Sequence, residues 1–286
     1  MAGPHHHPDP TAAGTAPEAV EWAIAAVAVA AVFAYLVAAA RLRRRGDTWP
    51  VSRDLLCTAG GGTLVCAALA PLPGGPFTAH MTQHLGVAMA APLLLVLGRP
   101  ITLTLRTLPP RGPRRALLAA AHSRPAHWLT FPPLAALLDI GGLWLLYRTP
   151  LAATAHQQPL LHATIQVHIL LAGLLFTFAV CQLDPLRRRW NLTLRGLTLL
   201  AAGAAHAILA KTLYATPPPG STYTATDLHT GAQLMYYGGD LVELALAAVL
   251  AARWYSATGR AHARRRTATR PRGRAVRCSP QLRDPS

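Results

Sequence analysis

The sequence predicts an all-α fold: a polytopic membrane bundle of seven transmembrane helices, with the N-terminus outside and the C-terminus inside. Three observations carry that expectation. Only 13% of the 286 residues are charged and 52% are hydrophobic, whereas a soluble globular domain averages about 25% charged. Apolar runs of helix-spanning length recur along the chain. The 27 Lys and Arg, which with 11 Asp and Glu give a net charge of +16, fall mostly between those runs or at their ends. Such a composition excludes a disordered chain. It also turns the basic excess from a nucleic-acid footprint into a membrane-topology signal.

The first span reads Trp22 to Ala40, uncharged throughout and followed at once by Arg41, Arg43, Arg44 and Arg45. Because the cations follow the apolar run, it reads as a retained anchor and not as a cleaved signal. The uncharged stretch from Leu55 to Arg99 is too long for one helix and is broken at Pro71-Leu72-Pro73-Gly74-Gly75-Pro76. It gives a second span near 55–70 and a third near 80–98. Gly60-Gly61-Gly62 in the second weakens the helix but admits a close neighbour. The fourth runs from His127 to Tyr147 and contains Pro132-Pro133 and Asp139; the fifth is Leu160 to Leu183, the sixth Leu192 to Tyr214, and the seventh Gly231 to Ala252.

With the N-terminus outside, the inner segments 41–53, 99–124, 187–195 and the tail from 253 hold five, six, four and ten cations. Arg148 and Lys211 alone remain for the outer side. This is the positive-inside pattern of an odd number of spans. It places the chain in a bacterial plasma membrane as a multi-pass protein. Residues 1–19, rich in Pro, Ala and His, read as a disordered tail in which His5-His6-His7 could bind metal weakly. Residues 20–255 form the membrane domain. Residues 256–286 read as a basic disordered tail lying against the anionic inner leaflet.

Ionisable groups inside spans are expensive, so each marks a candidate site. His80-Met81-Thr82-Gln83-His84 opens the third span. Its two imidazoles lie one helical turn apart on one face, a metal-ligand spacing, and Met81 is a soft donor suited to Cu(I). Span five carries His162, Gln166 and His168, and span six carries His206. In span seven, Tyr236, Asp240 and Glu243 share a face and put two carboxylates at mid-depth. Most histidines fall in the outer half, which fits metal handling on that side; imidazole ligands leave copper, zinc and haem iron open. The four cysteines, Cys57, Cys66, Cys181 and Cys278, form no CxxC pair, so a thiolate copper site is unsupported.

These residues resemble a known family, the multi-span cytochrome c oxidase assembly factors called CtaG. The matching stretches are His80-Met81-Thr82-Gln83-His84 with Ala91-Pro92-Leu93-Leu94-Leu95-Val96-Leu97-Gly98-Arg99-Pro100, then Gln166 to Phe176 with Asp184-Pro185, and then His206 and Gln233 to Glu243. The resemblance covers about residues 20–255. It implies a seven-helix protein that supports biogenesis of a haem–copper oxidase, with oxidase subunits or other assembly factors as partners and a role in copper delivery. Carried over, the metal ligands would be His80, His84, His168 and His206, with Met81, Gln83, His162, Gln166, Tyr236, Asp240 and Glu243 around them. One departure stands out. Family members often carry a Trp-His pair before a Pro at the end of span four, where this chain reads Tyr147-Arg148-Thr149-Pro150. If that His is a ligand, its loss weakens a metal role here or shifts it to His156 or His162.

The expected function is therefore an assembly factor binding or delivering copper at an outer-facing histidine site. The alternatives are a copper or cation transporter and a bis-His membrane haem protein. A retinal photoreceptor is set aside because Lys211, the single lysine, lies towards the outer end of its span. No hydrolytic triad, Gly-rich phosphate loop or His-Glu-x-x-His run is present, so catalysis is not expected.

Overall fold

A computed structural model describes residues 15–184 and 189–268. Every regular element among them is helical. The His5–His7 run, Arg187, Arg188, Cys278 and the arginines from Arg270 onward lie outside the described residues, as does the side chain of His156. Among the described residues, those up to Leu250 form one compact unit and those from Ala251 onward a second.

The helices are α1 (Thr15–Arg44), α2 (Val51–Leu69), α3 (Pro76–His84), a π-helical turn (Leu85–Ala90), α4 (Ala91–Leu97), α5 (Pro100–Thr107), α6 (Pro113–Ala121), α7 (Arg124–Leu129), α8 (Pro132–Arg148), α9 (Leu151–Gln157), α10 (Pro159–Cys181), α11 (Leu192–Ala215) and α12 (Ala225–Ala268). Among the described residues, five stretches are long and apolar enough to cross a membrane: Ala19–Arg44, Pro76–Thr107, Pro159–Cys181, Leu192–Ala215 and Ala225–Gly259. The protein is thus an all-helical, multi-pass membrane protein. Large apolar side chains stay exposed on these helices, among them Phe33, Leu160, Leu200 and Leu241, as a lipid-facing surface requires.

Two expected spans fall short of that standard. Helix α8 has 17 residues, about 26 Å at 1.5 Å per residue. Helix α2 carries Arg53 and Asp54 in its first turn and three glycines in its middle. Gly61 nevertheless does what small residues do in membranes: a Cβ there would stand 2.3 Å from Val32 Cγ2 of α1.

The 99–124 segment, expected as a loop, is helical as α5, α6 and the start of α7. Each of these helices has Pro in its first turn, where the missing N–H costs nothing. The chain breaks instead at Arg99, whose φ of 53° is left-handed. Thr15 is already helical, and α12 continues to Ala268, because Ala and Arg propagate an existing helix cheaply.

One end of the bundle gathers the cations. Arg43 pairs with Asp54, and Arg106 with Asp47 at 3.0 Å; Trp49 takes Arg53 over its ring at 4.4 Å. Arg195, expected as a loop cation, is buried within α11. Its guanidinium donates to the carbonyls of Val180 at 2.9 Å and Cys181 at 3.2 Å, neutralising the negative end of α10. The Asp184 carboxylate accepts from Thr102 N at 2.8 Å and from Thr102 Oγ1, closing the first turn of α5. Burial pushes that carboxyl above the ordinary carboxylate range, while the Thr102 bonds pull it down.

Four apolar clusters form among the described residues, and two of them flank the site. One contains Phe77, Met81, Leu143, Tyr147, Leu209, Leu213 and Met235. The other contains Leu93, Val96, Ala135, Phe176, Val180, Leu199 and Leu246. Along α3–α4, α11 and α12 alike, the stretch between the two cores holds the polar residues described next.

Candidate functional site: a buried histidine pair beneath a cavity

His84 of α3 and His206 of α11 meet between the two cores. Their rings stack with centroids 6.1 Å apart and an interplanar angle of 27°. His84 is 4% exposed and His206 1%. Neither ring nitrogen of either residue has a hydrogen-bond partner. His206 Nδ1 faces Glu243 Oε1 of α12 at 3.5 Å, beyond a strong hydrogen bond. Buried donors and acceptors are almost always satisfied, so two unsatisfied imidazoles side by side are a cost that folding alone does not explain.

The backbone makes room for them. A Cβ at Gly239 would lie 2.2 Å from His206 Cε1, and one at Gly203 would lie 2.2 Å from Glu243 Oε2. Gly239→Ala is therefore expected to displace His206 and cost about 1–3 kcal/mol by overpacking. Gly62→Ala, whose Cβ would meet nothing within 4 Å, is expected to stabilise α2 slightly. Thermal unfolding of both variants checks the contrast. The π-helical turn begins directly after His84, an insertion common at functional sites.

One turn before His84, His80 is half-buried. Its Nε2 lies 2.9 Å from Tyr147 Oη, with the rings edge to face at 5.9 Å. Both residues line a cavity of about 310 Å³. His162, Gln166, Phe77 and Tyr223 complete its main walls. Gln166 Nε2 approaches Gln83 Oε1 at 3.5 Å.

Not all the expected residues converge. His168 is exposed on α10 and its Nε2 lies 3.2 Å from the Leu138 carbonyl of α8, so it stands apart from the pair. Met81 is fully buried in the apolar core with Leu143 and Leu209. Tyr236 stacks under Lys211 Nζ at 5.3 Å. Asp240 is half-buried on α12. No group of three or more His, Cys, Asp or Glu among the described residues is placed to hold a metal ion.

The position of α3 depends on a residue the sequence did not single out. Asp227 of α12 accepts from Phe77 N at 2.8 Å, Thr78 N at 3.0 Å and Thr78 Oγ1 at 2.6 Å. It caps the N-terminus of another helix, some 150 residues away in the chain. Nothing local announces this; the glycines beside His206 and Glu243 were visible as small residues but not as clearances.

Comparison with known proteins matches residues 33–257 to the family described as cytochrome c oxidase caa3 assembly factor. Uncharacterized proteins of Mycobacterium bovis and Mycobacterium tuberculosis are each 36% identical over 180 residues, covering 58% of this chain and 26% of the relative. One of Mycobacterium leprae is 34% identical over 175 residues, covering 58% and 27%. The chain thus spans about a quarter of the length of these relatives. No solved structure matches it. The match extends from the middle of α1 into α12 and takes in the histidine pair, the cavity and the Asp227 cap, and the chain belongs to the cytochrome c oxidase caa3 assembly factor family.

Proposed function

We propose that the protein supports assembly of a haem–copper oxidase by taking up copper as cargo at His84 and His206, from the outer side of a bacterial plasma membrane. The observation that carries this reading is the buried pair itself: two neighbouring imidazoles whose nitrogens make no hydrogen bond. Neutral imidazoles fit a soft or borderline ion such as copper. Glu243 beside His206 can balance charge. His80 lies one turn closer to the cavity, and His168 takes no part.

In this reading α2 and α8 cross the membrane with the five longer spans, giving seven. The clustered arginines then face the cytoplasm, and the cavity faces outward. The partners are the lipid bilayer and oxidase subunits or other assembly factors, and the role is not catalytic.

Metal and haem analysis of the purified full chain tests the proposal. Near-stoichiometric copper is expected in the wild type and almost none in a His84→Ala/His206→Ala double variant. Oxidase activity of cells carrying that variant should fall with it. Copper-free wild-type protein overturns the proposal, and a Soret band would replace it with haem ligation.

A further inference from the structure

The cavity and the buried pair are separate compartments. His80 and Tyr147 line the cavity, whereas His84 and His206 do not. His80 and His84 lie on one face of α3, about 6 Å apart along its axis. An ion moving from cavity to pair along that face therefore meets His80 first.

We infer that the cavity is an entry chamber for Cu(I) and that His80, held by Tyr147, is the transfer residue between the chamber and the His84–His206 pair. This rests on the copper reading above.

Three features of the geometry support it. The first is the difference between the two motif histidines. His84 has no hydrogen-bond partner at either ring nitrogen and is ready to bind, while His80 Nε2 is engaged by Tyr147 Oη at 2.9 Å. With the His80 proton on Nδ1, its Nε2 lone pair accepts from the phenol, and that same lone pair is the one a metal would use. Tyr147 thus competes with the metal for His80.

The second is the rigidity of the competitor. Tyr147 is 1% exposed and packed in the apolar core of Phe77, Met81 and Leu143, so its hydroxyl returns to one place. The third is the chemistry of the chamber. Its polar lining consists of His80, His162, Gln166, Tyr147, Tyr223, Ser221 and Thr222, with no Asp or Glu among the described residues. Two imidazoles without a carboxylate are compatible with copper and disfavour hard cations such as Ca²⁺ and Mg²⁺. A volume of about 310 Å³ is at the small end of ligand pockets, about 300–1,000 Å³, and admits an ion together with a ligand that brings it.

The transfer is a ligand exchange with no change of oxidation state. His80 Nε2 gives up the Tyr147 hydrogen bond and takes Cu(I) from its carrier. The His80–copper bond then breaks as His84 and His206 bind the ion, and the Tyr147 hydrogen bond re-forms.

Anaerobic Cu(I) exchange between the full-length protein in detergent and a chromogenic Cu(I) chelator tests this. Tyr147→Phe keeps the ring and removes the hydroxyl. It is expected to leave copper content and affinity unchanged while loading and release both become about fivefold faster, the equivalent of one lost hydrogen bond. His80→Ala is expected to keep the copper content but load at least tenfold more slowly, while His84→Ala loses the copper. A purely structural role for Tyr147 would lower the unfolding temperature with exchange rates unchanged, and that result overturns the inference. Loss of copper from His80→Ala as complete as from His84→Ala also overturns it, because His80 would then be a resident ligand. Absence of copper from the wild type defeats the function proposed above as well, and so reads differently from either result.

Discussion

If His84 holds copper as proposed, replacing it by Leu is expected to remove the metal and, at the same time, to raise the unfolding temperature of the metal-free protein by several degrees. His84 is 4% exposed, and neither of its ring nitrogens has a partner. Leaving a buried polar group unsatisfied costs about 1–3 kcal/mol, and an apolar side chain of similar size escapes that cost. A residue retained for packing would behave in the opposite way, with stability falling and copper unaffected. Opposite signs for stability and binding are the signature of a site held at the expense of the fold. Differential scanning of the metal-free protein, with copper analysis alongside, reads both signs in one preparation. A His84→Leu protein that unfolds earlier than wild type and keeps its copper would refute the assignment.

The second large effect is expected at Asp227, which touches no histidine. Asp227→Ala strips three acceptor contacts from the start of α3, at Phe77 N, Thr78 N and Thr78 Oγ1. Loss of an N-cap costs about 0.5–2 kcal/mol. Hydrogen bonds to a charged group contribute about 1.5–3 kcal/mol, so a loss of about 2–3 kcal/mol is expected. Copper content should fall too, because α3 carries His80 and His84 and loses its tie to α12. Asp227→Asn keeps one acceptor oxygen and should recover part of both. An Asp227→Ala protein as stable as wild type would show that packing of Phe77 alone positions the helix.

The two predictions separate what was legible along the chain from what was not. The HMTQH run marked His80 and His84 by spacing, and His206 stood out as an imidazole inside an apolar helix. Glu243 was legible as a mid-span acid. These signals are local, because a polar residue in an apolar run is costly wherever the helix ends up. The pairing of His84 with His206 was not legible, since it depends on how α3 and α11 are rotated. Nor was the separation of His168, which shares the same signal but faces α8. Met81 shows the same limit: next to His80 in sequence, it points into the apolar core, as successive residues on a helix diverge by about 100°. The helices in the 99–124 segment were hidden because Pro and Arg resemble loop composition, although Pro at a first turn starts a helix.

By itself, the sequence determined that this is an all-helical protein with long apolar helices and cations kept mostly between them or at their ends. Hydrophobic length and charge placement are one-dimensional properties, and the bilayer reads them directly. Tertiary structure alone decided which polar residues act together. It put His84 against His206, set Tyr147 on His80, and laid Asp227 over the start of α3. Each contact joins residues far apart in the chain, and each depends on helix rotation and on clearances such as that at Gly239, which only packing defines.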